Sequence, residues 1–289
     1  MKGLIVKGIG GFYYVKTDSG IVQTRGRGVL KKNNATLMVG DNVEFEMLDD
    51  GDGVIDRVEK RKNAFDRPPI ANIDTFVIVF AATKPKPNFD VVDKFLIMAE
   101  SQDLEAILCM NKCDLADEKT QREIISRYSG AYRVFAVSGK TGKGIDSLLR
   151  AIEGKRAALA GPSGVGKSTI TNMIIPEAAM EIGSVSQKTS RGKHTTRHVE
   201  IFQLPMGGMI YDTPGFTSFD ISGVEADELD MYYPEIEALR DGCRFDDCRH
   251  MKEPDCAVIK AVADGTLNRD RYQSYVNNYE ELRNGRRRK

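Results

Sequence analysis

The sequence predicts a multidomain protein: a small all-β module, a central α/β domain and a mainly α C-terminal segment. Three observations carry this reading. Residues 1–62 are short β-rich runs punctuated by Gly, Asn and Asp. From residue 74, continuous apolar runs alternate with segments of helical spacing, the pattern of a parallel sheet covered on both faces. After about residue 222 the chain turns polar, acidic and cysteine-bearing.

The first module reads as LIVKGIGGFYYVKT, GIVQTRGRGVLKK and DNVEFEMLDDGDGVIDRV. Strands of this length at this spacing suit a small barrel or sandwich. RPPI at 67–70 reads as a linker, because adjacent prolines favour extended chain. In the central domain DTFVIVFAA, LEAILCM, AYRVFAVS, KRAALA and MIYDTPG are the expected strands. NFDVVDKFLIMAESQ, ADEKTQREIISRYS and GIDSLLRAIEG have helical spacing. At the C-terminus CAVIKAVADG and RDRYQSYVNNYEELR are the expected helices.

Bulk composition narrows the function classes. The 289 residues suffice for two or three domains, with 41% hydrophobic and 29% charged residues. No apolar run approaches the roughly 18–20 residues that cross a bilayer, so no membrane partner is expected. The N-terminus lacks a signal-peptide core, which points to the cytoplasm. Basic and acidic residues balance at 42 each, which argues against a uniformly basic coat but leaves local patches open. The terminal RNGRRRK is either a solvated tail or a nucleic-acid contact. Five cysteines, an odd count, argue against a disulfide framework.

GPSGVGKS, residues 161–168, fits G-x-x-x-x-G-K-[ST] at every fixed position, between an expected strand and an expected helix. Such glycine-rich turns wrap backbone N–H groups around phosphate. Gly161, Pro162, Ser163, Gly164, Val165, Gly166, Lys167, Ser168 and the following Thr169 are therefore expected nucleotide contacts. Lys167 would reach the β- and γ-phosphates, and Ser168 would bind Mg²⁺. The loop alone permits an ATPase, a kinase or a GTPase.

Further motifs bear on the base and the γ-phosphate. Asp212 ends an apolar strand and begins DTPG, where an Asp can hold Mg²⁺ and the Gly215 N–H can meet γ-phosphate. Between them a polar loop offers Thr195 and Thr196, of which Thr196 is preferred as a switch ligand to Mg²⁺. NKCD comprises Asn111, Lys112, Cys113 and Asp114. Asp114 can accept from guanine N1–H and the N2 amine, a donor pair adenine lacks. Asn111 would brace the loop, and the Lys112 stem would pack on the base. Ser138, Gly139 and Lys140 follow the next strand and would close over the base. Both loops leave strand ends, where ligands bind in open α/β sheets.

These motifs run NKCD, SGK, GPSGVGKS, HTT, DTPG, a cyclic rotation of the usual G-protein order. The chain thus resembles the circularly permuted GTPase family, and within it the bacterial small-subunit biogenesis GTPases. The resemblance covers essentially the whole chain. It implies an OB-fold RNA-binding barrel (1–64), a circularly permuted P-loop G domain (72–222) and a zinc-binding domain with a basic tail (223–289). It also implies GTP hydrolysis stimulated by the small ribosomal subunit during late assembly, with the subunit and its rRNA as partners of a monomer. In the barrel Arg25, Arg27, Lys31 and Lys32 are either RNA contacts or solvated loop charges.

Cys243, Cys248, His250 and Cys256 supply three thiolates and an imidazole, a closed set for one structural Zn²⁺. The surrounding segment reads as too polar to build its own core. Cys109 reads as a buried apolar residue. After D-x-x-G the usual glutamine is absent; Phe216 stands there, and His194 is the candidate to position water, with Lys167 and Thr196 completing the catalytic set. Because DTPG runs straight into the C-terminal segment, hydrolysis is expected to reorient that segment. Two other readings stay open at this level: a P-loop ATPase or kinase with an accidental NKCD, and an RNA-binding module with a vestigial nucleotide site.

Overall fold

The computed structural model describes residues 1–28, 36–49, 51–175, 199–213, 221 and 223–286. The chain divides into two compact units, each interrupted in sequence. The first holds Met1–Phe76, Ile145–Ala160 and Lys167–Phe216; the second holds Val77–Gly144, Gly161–Gly166 and Thr217–Lys289.

The first unit begins with a closed five-stranded barrel of β1 (Lys2–Ile9), β2 (Phe12–Thr17), β3 (Gly20–Gly26), β4 (Asn42–Met47) and β5 (Gly53–Val58). The strands follow the order β1-β2-β3-β5-β4, and β4 closes back on β1. Only the β3–β5 pairing is parallel. Ile5, Val15, Val43, Phe45 and Ile55 are buried in it, and on β4 and β5 the buried residues alternate with more open ones as the pleat requires. This is the OB-type arrangement.

RPPI is not a linker. It carries the turn of a short hairpin, β6 (Ala64–Asp66) against β7 (Pro69–Ala71). Phe65 and Ile70 are buried and anchor it, and Phe65 meets Phe76 edge-on at 5.2 Å. The prolines sit at the turn and at the first residue of β7, where a missing N–H costs no interior ladder bond.

The same unit holds β11 (Arg156–Ala160), β12 (Glu200–Gln203) and β13 (Met209–Asp212), with helices α3 (Ile145–Ala151) and α4 (Lys167–Ile174). β11 and β13 are parallel, as expected. β12 was not expected: its residues read as the end of a polar loop. It runs antiparallel to β13 and also pairs with β1 through Lys7 and Glu200, whose side chains form a 2.8 Å ion pair. The barrel strands and these three therefore share one sheet.

β8 (Thr75–Ala81), of which all but the first two residues belong to the second unit, β9 (Glu105–Asn111) and β10 (Arg133–Ala136) lie in the order β10-β9-β8. Every residue of β8 is buried, which explains its unbroken apolar sequence. Helix α1 (Phe89–Ser101) is capped by Asn88, whose side chain accepts from the N–H groups of Asp90 and Val91. Helix α2 (Glu118–Tyr128) is capped likewise by Asp117, which accepts from Thr120 N–H.

The C-terminal segment contains a 3-10 helix (Ala226–Tyr232) and α5 (Pro234–Glu237), α6 (Ala257–Ala263) and α7 (Arg269–Arg286). It does build a core. Leu229, Tyr233, Ile236, Val258 and Tyr275 are fully or almost fully buried together. Three of its buried members are tyrosines, Tyr233, Tyr275 and Tyr279, whose rings bury large area, and the Tyr233 and Tyr275 hydroxyls are hydrogen-bonded. Polarity counted along the sequence therefore misjudged it.

A buried ionic cluster joins α7 to α1 and α2. The Asp93 carboxylate, wholly inaccessible, accepts from Arg271 Nη1 at 2.6 Å, from Arg127 Nη2 at 3.1 Å and from the Ser274 hydroxyl. Arg271 also reaches Glu235 at 2.5 Å and lies over the Tyr233 ring at 4.5 Å. Burial alone would lower the Arg271 pKa, but Asp93 and Glu235 raise it well above the ordinary value. Removing one partner strands the other in low dielectric. Arg271→Met is expected to cost about 3–5 kcal/mol in urea unfolding. Pairing it with Glu235→Leu should recover part of that loss, because Arg127 and Ser274 keep Asp93 paired while Glu235 has lost Arg271, and a double variant no more stable than the single one would refute the pairing.

Candidate nucleotide site and a four-ligand metal cluster

β9 and β10 are adjacent parallel strands, in register from Arg133↔Ile107 to Ala136↔Met110. Their carboxyl ends therefore release NKCD and SGK side by side. Asn111, buried, links these loops to the glycine-rich loop. Its Nδ2 donates to the Val165 carbonyl at 2.8 Å, and its Oδ1 accepts from Gly139 N–H at 3.0 Å. Its own carbonyl accepts from Ala82 N–H at 2.8 Å. Lys112 adopts a left-handed backbone (φ 59°) and its ammonium donates to the Gly164 and Lys84 carbonyls. The ammonium thus braces the phosphate loop, while Asp114 stays exposed at the loop tip.

Two glycines make this approach possible. A Cβ on Gly166, at φ +98°, would lie 2.3 Å from Asn111 Nδ2. A Cβ on Gly161, at φ +138°, would lie 2.0 Å from the Val79 carbonyl oxygen. Val165 is buried, whereas Ser163 and Gly164 are exposed and Pro162 is half-buried. In the SGK loop the buried Ser138 accepts from Thr141 N–H through its hydroxyl, and Lys140 is exposed. Cys113 is buried and its N–H donates to the Val137 carbonyl at 3.0 Å.

In the other unit α4 starts at Lys167, and Ser168 and Thr169 are exposed on its first turn. Asp212 ends β13, the parallel neighbour of the strand that leads to the glycine-rich loop. The next residue, Thr213, is buried, and its hydroxyl donates to the Leu159 carbonyl at 2.6 Å. This contact fixes the exit of β13 and was not anticipated, because Thr213 is only the variable letter after Asp in the motif. A hydroxyl and a carboxylate are hard oxygen donors of the kind Mg²⁺ takes. His194, Thr195, Thr196, Gly215 and Phe216 lie outside the described residues, as do Lys31 and Lys32.

The cysteine cluster comes together. The three Sγ atoms and a ring nitrogen of His250 all lie within 4.8 Å of one another, a set that could hold a metal ion. His250 Nδ1 faces Cys243 and Cys256 at 3.5 and 3.4 Å, and its Nε2 faces Asp230 at 3.6 Å. Burial would raise the Asp230 carboxyl, but His250 and Arg240 more than offset this and hold it low. An acidic partner behind a ligating imidazole fixes its orientation. Nothing in the sequence singled out Asp230 among so many acidic residues. The loop is moulded by Glu253, which accepts from the N–H groups of Arg249, Met251 and Lys252. Cys109 is wholly buried on β9, and burial pushes its thiol pKa up, as fits a packed residue.

A family model described as RsgA GTPase matches residues 58–222, and one described as RsgA N-terminal domain matches residues 2–55. The chain belongs to the RsgA GTPase family. A curated RsgA protein of Clostridium perfringens, strain SM101, is 42% identical over 99% of both chains. One from Clostridium kluyveri is 45% identical over 98% of both. Both are described as small ribosomal subunit biogenesis GTPases. The crystal structure of YjeQ from Thermotoga maritima aligns with a TM-score of 0.83 at 35% identity, covering 97% of this chain and 98% of that one. YloQ, described as a circularly permuted GTPase, aligns at 0.81 with 36% identity over 98% and 95%.

As an RsgA GTPase the chain is a GTP hydrolase with a circularly permuted G domain. The accidental-NKCD and vestigial-site readings are not favoured, and the family implies Mg²⁺ with GTP. The bracing role of Asn111 yields a test. Asn111→Ala leaves the Val165 carbonyl and the Gly139 N–H without this partner, at about 1–3 kcal/mol for each buried group. GTP affinity, measured with a fluorescent analogue, is expected to fall at least tenfold, and the melting temperature to drop by several degrees as the two buried groups lose their partner.

Proposed function

We propose that this RsgA GTPase couples GTP hydrolysis to late assembly of the small ribosomal subunit. What supports the reading is the match along essentially the full length to relatives that carry that description. The working parts would be residues 1–64 as an RNA-binding barrel, 72–222 as the permuted G domain and 223–289 as a zinc-binding domain with a basic tail. The protein would act as a cytoplasmic monomer on the subunit and its rRNA. Among the described residues no helix is long and apolar enough to cross a membrane.

In this reading Asp114 accepts from guanine N1–H and N2, the Lys112 stem covers one face of the base, and Asn111 holds Cys113 and the rest of the loop in place. Ser138, Gly139 and Lys140 close over the base. The 161–169 loop and helix start wrap the phosphates, and Lys167 neutralises the β- and γ-groups. Ser168, Thr196 and Asp212 would hold Mg²⁺, which supplies positive charge to the phosphate oxygens when bound. Gly215 N–H would meet the γ-phosphate. His194 would orient water for attack on γ-phosphorus as the bond to the bridging oxygen breaks, giving GDP and phosphate. The enzyme would be slow alone and accelerated when the subunit binds.

Turnover with and without purified small subunits tests this. Stimulation is expected, and His194→Ala should lose on the order of a hundredfold of the stimulated rate with GTP affinity kept. Unstimulated turnover by wild type would overturn the ribosomal reading, and full stimulation of the variant would overturn the role of His194.

Cys243, Cys248, His250 and Cys256 would hold one structural Zn²⁺. Three sulfurs and one nitrogen suit that ion, and four protein ligands leave no open position for catalysis. Elemental analysis is expected to find one zinc per chain, and Cys248→Ser should lose it together with several degrees of melting temperature. A metal-free wild type would overturn the assignment.

A further inference from the structure

At the foot of the barrel, where the chain leaves β5, a cavity of about 440 Å³ opens to solvent. Its wall carries four cations, Lys60, Arg61, Lys62 and Arg156, against a single carboxylate, Asp74. None of these residues belongs to the nucleotide site or the metal cluster.

The cations differ in how they are held. Arg61 is fixed by Asp41, with Nε to Oδ1 at 2.7 Å and Nη2 to Oδ2 at 2.9 Å, and by the Thr36 carbonyl. Asp41 is wholly inaccessible, so it anchors the guanidinium from beneath while about a quarter of the Arg61 side chain stays open. The Arg156 guanidinium donates to Asn42 Oδ1 at 3.1 Å and to the Gly40 carbonyl at 3.5 Å, both neutral acceptors. Its charge is positioned by these bonds but not cancelled by them. Asp74 is turned inward, with Oδ2 accepting from the Arg156 backbone N–H at 2.9 Å. Its other oxygen meets Lys62 at 3.3 Å, a partly exposed pair that solvent screens. Lys60 is exposed, with no ion pair among the described residues.

The wall thus combines two arginines already held in place with two exposed lysines. Pre-set guanidiniums bind anions with little ordering cost, and their planar donors match phosphate. No aromatic side chain lines the cavity. It therefore lacks the stacking surface that single-stranded bases need and is equipped for backbone contact instead. OB barrels carry nucleic acid on their strands and loops.

We propose that this cavity is a phosphate subsite that takes a backbone phosphate of an RNA strand, independently of sequence. The proposal rests on the reading of the chain as an RNA-associated GTPase and adds a site to it. Arg61 and Arg156 would fix that phosphate, and Lys60 and Lys62 would each neutralise a neighbouring phosphate of the strand and release its counterion.

The test is fluorescence anisotropy of the full-length chain with a short labelled single-stranded RNA of mixed sequence, across a salt series. The Lys60→Ala, Lys62→Ala double variant spares the buried partners of Arg61 and Arg156, and an unchanged melting temperature confirms that it folds. Binding is expected to weaken about tenfold, and the slope of log K against log salt to shrink by about 1.4 for two lost contacts. A control removing Lys119 and Arg122 from the exposed face of α2 should change neither. Equal affinity and slope in wild type and the double variant would overturn the proposal. So would lysine-dependent binding of inorganic phosphate, followed by NMR, with RNA binding untouched, since the site would then serve free anions. Sedimentation with purified small subunits separates the two readings. Subunit binding in which the lysines make no difference at any salt removes the subsite alone, whereas wild type that binds neither subunit nor RNA removes both.

Discussion

The candidate nucleotide site depends on one side-chain amide. Asn111 donates to the phosphate loop and accepts from the SGK loop, across 54 and 28 residues of sequence. Each half of the amide satisfies a backbone group that would otherwise be stranded among buried residues. The contact is indifferent to chain direction. A base-reading loop that precedes the phosphate loop can be held as well as one that follows it, provided the strands that launch them end on the same side. Parallel β9 and β10 meet that condition for two of the loops, and at the third Gly166 leaves room for the amide. The permutation is therefore a change of connectivity that leaves the local chemistry intact.

This explains why the site was legible in sequence and much of the surrounding packing was not. Asn111, Asp114, the glycine loop and Asp212 are the letters proposed to meet a nucleotide, and a pattern set by a ligand survives reordering of the chain. β12 has four residues and pairs with a strand almost two hundred positions away, so no local pattern announces it. The 64–71 hairpin was hidden by its prolines, which read as extended linker until Phe65 and Ile70 are seen to be buried. The Asp93–Arg271 pair spans 178 residues, and neither member looks unlike an ordinary surface charge in its own helix.

The C-terminal segment changes most on inspection. A polar stretch held by a metal alone would have been a loop on a pin. Instead Tyr233, Tyr275 and Tyr279 pack with Leu229 and Ile236, with Tyr233 and Tyr275 edge-on at 5.4 Å. The cysteine loop is tied to α7 by two tyrosine hydroxyls, Tyr272 to the His250 carbonyl and Tyr275 to the Arg249 carbonyl. His250 itself holds a left-handed backbone, φ 57°, an unusual cost for a non-glycine residue. The candidate metal ligands are thus presented by a loop whose shape is largely set by hydrogen bonds, and an ion held there would organise residues 243–256.

That packing also qualifies the expected coupling of hydrolysis to the C-terminal segment. Chain continuity gives one connection, through the residues that follow Asp212. The buried cluster gives another, from α7 to Asp93 on α1 and Arg127 on α2. Helix α1 lies in sequence between β8 and β9, so the strand that ends in Asn111 and the module that ends in α7 belong to one compact unit. Buried ion pairs resist gradual sliding, because every intermediate position leaves a charge without its partner. A γ-phosphate signal that acted on the C-terminal module alone would have to break Asp93 from Arg271. One that acted on the module together with β8 and β9 would leave the pair intact, and the energetics favour that second course.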